Sequence, residues 1–335
     1  MTRIMCLGGN IETEIVLQGL IGQQAQIVGV FCADDALKTE ISDYADIASI
    51  ARSRGLPCLP ISDINSSEAI DFAAQQNADY LFVLGWSQII ESRMLAQFPK
   101  GVIGSHPAPL PFGKGRAPVP WTILRGDRRS AISLFRMTER IDEGALLIRR
   151  WFDIGERPYA MDVYDLVTAN LKRAFCDLAC DLDNGIEPTV KPADLEASIY
   201  ARRRPEDGWI NFDHDAEYID RLVRAVSPPY PGAYSYLDGT KIRFLRAEPA
   251  NETDLQYHGV TGQILRKRQT MLLIQCADSP IWLGGNNPNT DRGDSRPICK
   301  LGDVFGYRAE DKLQILESRI TQLEEQLKAL ERIKC

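Results

Sequence analysis

Histidine is scarce: three stand in 335 residues, His106, His214 and His258. Proton transfer by an imidazole near neutral pH therefore has few places to reside. No run of about 18 apolar residues occurs, so no helix is expected to cross a membrane. The opening residues 1–10 lack the basic, apolar and small-residue succession of a secretory leader, and a cytoplasmic protein is expected. Eight cysteines are scattered along the chain. Cys176 and Cys180 lie one helical turn apart, but no Cys/His set has zinc spacing, so reduced thiols and no metal are expected. Positive charge is not in excess either: 39 basic against 46 acidic residues leave a net charge of −7. That speaks against a polyanion such as tRNA as the main partner, although a local basic face stays open. The glycine spacing of a dinucleotide site is also missing. Gly8-Gly9-Asn10 closes a short apolar run but reads as a tight turn at a strand end.

What is present is an ordinary globular composition, 44% hydrophobic and 25% charged, long enough for two domains. Residues 3–7, an amphipathic segment at 12–21 and a Val/Ile/Phe-rich run at 26–32 form a strand, turn, helix, strand unit of the α/β kind. Residues 45–54 and 67–76 read as helices, the second capped by Ser66 or Ser67. Between them 57–60 is extended. Residues 80–84 form a buried strand, and Trp86 beyond it serves equally as core or as pocket wall. Strands are expected at 131–137 and 145–152 and one long helix at 160–182, with Val163, Leu166, Leu171 and Phe175 turned to the sheet. The charged turn 125–129 reads most simply as a solvated face.

Residues 101–144 organise the rest. A short strand, 101–105, delivers His106 into a loop holding Pro107, Pro109, Pro111, Pro118 and Pro120. Proline fixes φ and biases the preceding residue toward extended backbone, so this loop is stiff. Gly113 and Gly115 let it turn or approach a ligand closely. Taken alone, His106 is as readily a structural histidine as a functional one. A carboxylate, Asp142, follows the next apolar run and precedes Gly144; it can orient an imidazole or hold a proton.

A strand ending in His106-Pro107-Ala108-Pro109-Leu110-Pro111, then Gly115-Arg116, then Asp142-Glu143-Gly144 36 residues after the histidine, resembles the formyltransferases that use 10-formyltetrahydrofolate. The segments Asp207-Gly208-Trp209-Ile210-Asn211-Phe212 and Pro229-Tyr230-Pro231-Gly232-Ala233 resemble the start of that family's C-terminal domain. The resemblance implies a catalytic pair, His106 and Asp142, and no metal. It implies a folate pocket at Leu84, Gly85, Trp86, Gln88 and Ile89, with Asp142 at its edge. Asn10, Pro107, Lys114, Gly115 and Arg116 are the candidates for the acceptor. The family's usual motif is Asn-x-His, and here Gly104 stands two before His106. The carboxamide's work then falls to Ser105, Asn10, another side chain or a water.

The implied fold is a doubly wound, Rossmann-like α/β domain over 1–195, an OB-like β domain over 203–305 and a coiled-coil helix over 311–335. Short β-prone runs at 233–237, 241–247, 259–265, 271–276 and 280–283 suit a small open barrel, and 286–294 is a polar loop. In the tail Leu313, Leu316, Ile320, Leu323, Leu327 and Leu330 recur at spacings of three and four, which predicts a homodimer; a single amphipathic helix docked on its own protein is the other reading. The loop from Pro107 to Trp121 is more similar to bacterial enzymes acting on amino sugars joined to nucleotides. A nucleotide-linked amino-deoxy sugar is therefore the expected acceptor. The alternatives are a free amine such as ornithine, methionyl-tRNA, or a folate-binding homologue that has lost catalysis.

Overall fold

The computed structural model describes residues 1–38, 41, 43–139, 144–191, 196–285, 299–306, 313, 316–324 and 326. Asp142 and the polar loop 286–294 lie outside the described residues. The chain divides into two compact units, Met1–Arg203 and Arg204–Cys335.

The first unit is built on a seven-stranded sheet of order β3-β2-β1-β4-β5-β7-β8. Its strands are β1 (Ile4–Gly8), β2 (Ile27–Ala33), β3 (Cys58–Ile61), β4 (Tyr80–Val83), β5 (Gly101–His106), β7 (Arg129–Arg136) and β8 (Leu146–Asp153). The first five run parallel, and β7 and β8 are antiparallel to their neighbours. β1 and β4 are buried at every residue, as expected of strands covered on both faces, so they read as unbroken apolar runs. Helices α1 (Ile11–Gly22) and α6 (Ala160–Asp183) cover one face; α3 (Ser67–Gln76) and the short α4 (Ser92–Leu95) cover the other. Asn10 caps α1 and Ser66 caps α3, each side-chain oxygen accepting from a backbone N–H in the first turn. Val163, Val167, Leu171, Phe175 and Leu178 of α6 are buried at three- and four-residue spacing. Phe175 meets Phe82 of β4 with ring centroids 5.1 Å apart.

Three smaller pieces complete this unit. Helix α2 (Ile47–Ser53) lies beside β2 and β3, and α5 (Pro118–Leu124) begins on a proline. β6 (Lys114–Gly115) pairs in parallel with β9 (Ile199–Tyr200), a ladder that no local pattern announces.

Among its described residues the second unit carries α7 (Ala216–Ala225) and six strands. β10 (Ala233–Leu237) and β11 (Thr240–Phe244) form one sheet. β12 (Arg246–Pro249), β13 (Ile264–Arg268), β14 (Met271–Gln275) and β15 (Pro280–Gly284) form another, of order β12-β15-β14-β13. The run 241–247 thus divides at Leu245, whose N–H turns to the Gly284 carbonyl, 2.7 Å away. Buried Asp254 ties this unit together, accepting from Trp282 Nε1 at 2.7 Å and from Arg266 Nη1 at 2.9 Å. Among the described residues no helix is long and apolar enough to cross a membrane.

Candidate active site

In open α/β sheets the carboxyl ends of the parallel strands are where ligands gather. Here those ends are Gly8–Asn10 after β1, Leu84–Gly85 after β4 and His106 at the tip of β5. The β1 and β4 tips are pressed together. The Thr13 hydroxyl donates to the Leu84 carbonyl at 2.6 Å, and a Cβ placed on Gly85, where φ is +75°, would stand 2.6 Å from Asn10 Nδ2. Only glycine meets both demands.

His106 is 7% exposed. Its Nε2 lies 2.7 Å from the Gly113 carbonyl oxygen. A carbonyl only accepts, so Nε2 carries a proton, and it is Nδ1 that accepts whenever the ring is neutral. The loop that supplies this carbonyl is tacked to the sheet by a row of residues across three strands. Ser133 of β7 stands opposite His106 in the ladder and is fully buried. Its hydroxyl donates to the Ala108 carbonyl at 2.7 Å and accepts from Leu110 N at 3.1 Å. Arg149 of β8 stands opposite Ser133 and donates from Nη2 to the Leu110 carbonyl at 2.7 Å. Burial pulls the Arg149 guanidinium below its usual range. Each such bond contributes about 1 kcal/mol, and leaving its buried partner unmet costs more. The stiffness read from the prolines is shared with Ser133 and Arg149, which sequence reasoning passed over. Their one signal was a polar residue interrupting each apolar strand.

Side chains alternate across a strand, which separates residues the sequence treats as neighbours. Val102, Gly104 and His106 face the α3 side, where Val102 joins the cluster around Ala69, Ala73 and Met94. Ile103 pairs with Phe82, which meets α6, so Ser105 projects with Ile103 from the opposite face to His106. A Cβ on Gly104 would meet Met137 Cγ and Sδ at 2.9 Å and Phe135 at 3.3 Å. The space an asparagine at 104 would need is therefore occupied by Met137.

Beyond β4, Trp86 is half-buried and packs against the core of the α3 face, and Ile89 is 59% exposed. Gln88 is committed locally: Nε2 donates to the Ser62 carbonyl, and Oε1 accepts from Ile64 N at 3.2 Å and Trp86 Nε1 at 3.3 Å. A cavity of about 430 Å³ opens here, lined by Ile89, Ile90, Glu91, Ser92, Arg93 and Glu139. The Ser92 hydroxyl donates to Glu139. The structure thus brings the segment after β4 against the segment after β7, three residues short of Asp142. Ile89 and Ile90 give this cavity an apolar part of its wall beside polar groups, which is chemically suited to a flat heterocycle read along its edge.

The remaining candidates are dispersed. Asn10 is the α1 cap and also bonds Asp43. Pro107 is half-buried, Lys114 and Gly115 form β6, and the Arg116 side chain is exposed. Two residues from Asn10, burial and then the Asp43 carboxylate push the Glu12 carboxyl up to about 7. Among the described residues no group of three His, Cys, Asp or Glu side chains is disposed to hold a metal ion.

Residues 4–176 match the formyl transferase family and residues 203–290 the formyl transferase C-terminal domain. Solved structures share the fold. WlaRD, a sugar 3N-formyl transferase crystallised with dTDP and 5-N-formyl-THF, is 18% identical, with TM-score 0.61, 85% of this chain and 97% of that one being covered. The N-formyltransferase of Helicobacter canadensis, in complex with folinic acid and dTDP-3-aminofucose, is 16% identical, with TM-score 0.62 and coverage of 85% and 99%. The methionyl-tRNA formyltransferase of Clostridium thermocellum is 20% identical, with TM-score 0.54 and coverage of 75% and 95%. Likeness at these identities establishes the fold and leaves the acceptor to be argued from the site.

Proposed function

The chain belongs to the formyl transferase family, and from that premise we propose that it moves the formyl group of 10-formyltetrahydrofolate onto the primary amine of a nucleotide-linked amino-deoxy sugar. The observation that carries this is His106: a buried imidazole at the carboxyl end of a central strand, its tautomer set by the Gly113 carbonyl. The folate supplies the activated formyl carbon. Leu84, Gly85, Trp86 and Ile89 border its ring, with Gln88 shaping the segment rather than touching ligand. Asp142 is assigned the role of holding or relaying a proton.

With Nε2 donating to Gly113, the accepting nitrogen of a neutral His106 is Nδ1, and His106 is assigned the removal of the proton that the attacking amine must lose. A positioned base of this kind contributes roughly 10²–10⁴-fold. Donors placed where negative charge develops on the formyl oxygen contribute about 3 kcal/mol each. Ser105, on the far face from His106, is poorly placed for that duty; backbone N–H groups or water at the strand ends serve it better. The acceptor reading is supported by the net charge of −7, by the proline loop, and by two nucleotide-sugar enzymes of the same fold. Chemistry is assigned to residues 1–195, and the tail pairs two protomers in the cytoplasm.

Formyl transfer is measured with 10-formyltetrahydrofolate and dTDP- and UDP-linked amino sugars, ornithine or charged initiator tRNA as acceptors. The sugar nucleotides are expected to be formylated fastest. His106→Ala and Asp142→Asn are each expected to lower kcat by about 10²-fold or more, and the double variant to be little worse than the poorer single. Normal turnover by His106→Ala overturns the mechanism; faster formylation of tRNA overturns the acceptor alone.

A further inference from the structure

The turn 125–129, which the sequence reading leaves to solvent, is not a plain solvated face. Arg125, Arg128 and Arg129 line a cavity of about 510 Å³ together with Phe112, Trp151 and Tyr200. The three aromatic residues come from the proline loop, from β8 and from β9, so no local stretch contains the set. Ala108 and Pro109 form another part of the wall. A trans-peptide chain spans at most about 3.6 Å per residue, so the Cα of Ala108, two residues on, lies within about 7 Å of the His106 Cα.

The chemistry of the wall is specific. Arg125 lies over the Phe112 ring, 4.3 Å from its centroid, and Arg129 over the Trp151 ring at 4.0 Å. Arg125 is paired with Asp127 at 3.2 Å and Arg128 with Glu156 at 2.8 Å. The Arg129 side chain makes no hydrogen bond or ion pair among the described residues; it rests on the indole with its guanidinium donors uncommitted. Trp151 is 39% exposed, an unusual position for the largest aromatic side chain on a strand. Three guanidinium groups face a single acidic lining residue, Asp127, in a chain whose net charge is −7. Planar guanidinium groups beside flat aromatic faces suit a ligand with phosphate at one end and a ring at the other.

We propose that this cavity holds the nucleoside diphosphate of the acceptor, with Arg129 and Arg125 on the phosphates and Trp151 against the base. The proposal rests on the sugar-nucleotide reading above and assigns it a place: the sugar, tethered to the second phosphate, extends along Pro109 and Ala108 toward His106. Phosphate recognition here relies on side chains of the turn, and Lys114 and Arg116 are not needed for it.

Isothermal titration of the wild-type protein with thymidine diphosphate, uridine diphosphate and inorganic pyrophosphate tests this, followed by Arg129→Ala and Trp151→Ala. Both side chains are exposed, and a thermal melt of each variant, with Trp151→Phe as the conservative control, separates binding from folding. Thymidine diphosphate is expected to bind about tenfold or more weakly in either alanine variant, since a charged hydrogen bond or an aromatic stack is worth that much. Pyrophosphate affinity is expected to fall in Arg129→Ala and to hold in Trp151→Ala, because only a ring needs the indole. His106→Ala is expected to bind the diphosphate as the wild type does. Unchanged nucleotide affinity in both variants overturns the assignment, as does an absence of nucleotide binding to the wild type. If the wild type formylates a dTDP-linked amine while both variants keep its KM, the cavity is wrong and the reaction stands. If nucleotide binds through Arg129 and Trp151 but no nucleotide-linked amine is formylated, the cavity stands and the acceptor reading falls.

Discussion

Glu12 stands in the first turn of α1, where the positive end of the helix favours a negative charge. Burial and the Asp43 carboxylate outweigh that and push its carboxyl up to about 7. The sign of the consequence follows from linkage. A carboxyl whose folded pKa lies above its unfolded value binds its proton more tightly when folded. It therefore costs nothing below about pH 4.5, and its cost grows as pH rises to about 7, where it is complete. Glu12→Gln removes the charge and keeps the shape. Melting curves are expected to coincide near pH 4.5, and the variant to be more stable by about 2 kcal/mol at pH 8. A constant difference across that range would mean that Glu12 carries its charge at no cost. The same scale decides Gly104 and Ser105. They are adjacent in the chain, but the pleat sends them to opposite faces, and Met137 fills the space beside Gly104.

Among elements, the two-residue pairing of β6 with β9 matters out of proportion to its length. It brings Tyr200 to the cavity wall, where the ring stacks on Trp121 at 5.5 Å and meets Phe112 edge-on at 6.1 Å. Trp121 Nε1 also donates to the Ala201 carbonyl at 3.0 Å. Gly115 makes the approach possible. Its φ is +98°, and a Cβ there would stand 2.4 Å from the Tyr200 carbonyl oxygen, a backbone atom with no room to yield. Gly115→Ala is expected to cost about 1–3 kcal/mol and to weaken thymidine diphosphate binding, as a thermal melt and titration calorimetry would read. Wild-type affinity in a folded Gly115→Ala protein would detach Tyr200 from nucleotide binding. The principal strands and helices of the first unit were legible in the sequence, because apolar runs and caps are local signals; the short α4 was not. The pairing of residues 114–115 with 199–200 was not, because nothing in either dipeptide identifies its partner.

At the scale of the whole molecule the tail is the open element. Residues 313, 316–324 and 326 are helical, and Leu313, Leu316, Ile320 and Leu323 are 59%, 47%, 54% and 49% exposed. Leu327 and Leu330 of the same pattern lie outside the described residues. An isolated helix of this length is marginal in water, and pairing with a second copy would bury its stripe. Deleting residues 311–335 is expected to halve the mass seen in sedimentation while each unit keeps its melting transition. A monomer both with and without the tail would rule the pairing out.

The sequence by itself determined the α/β class of the first unit, the order of its principal elements, and the place of His106 at the end of a strand and the head of a proline loop. These follow from local rules: apolar runs buried on both faces, caps at helix starts, prolines fixing a loop after a strand. Tertiary structure alone decided which side chains stand together. It set the tautomer of His106 through a carbonyl seven residues away. It laid Ser133 and Arg149 across the sheet to hold the loop, and it turned Ser105 to the other face. It also gathered Arg125, Arg128 and Arg129 around aromatic residues from distant segments. Such contacts depend on strand register and pairing between segments far apart in the chain, and those are fixed only when the sheet closes and buries its faces.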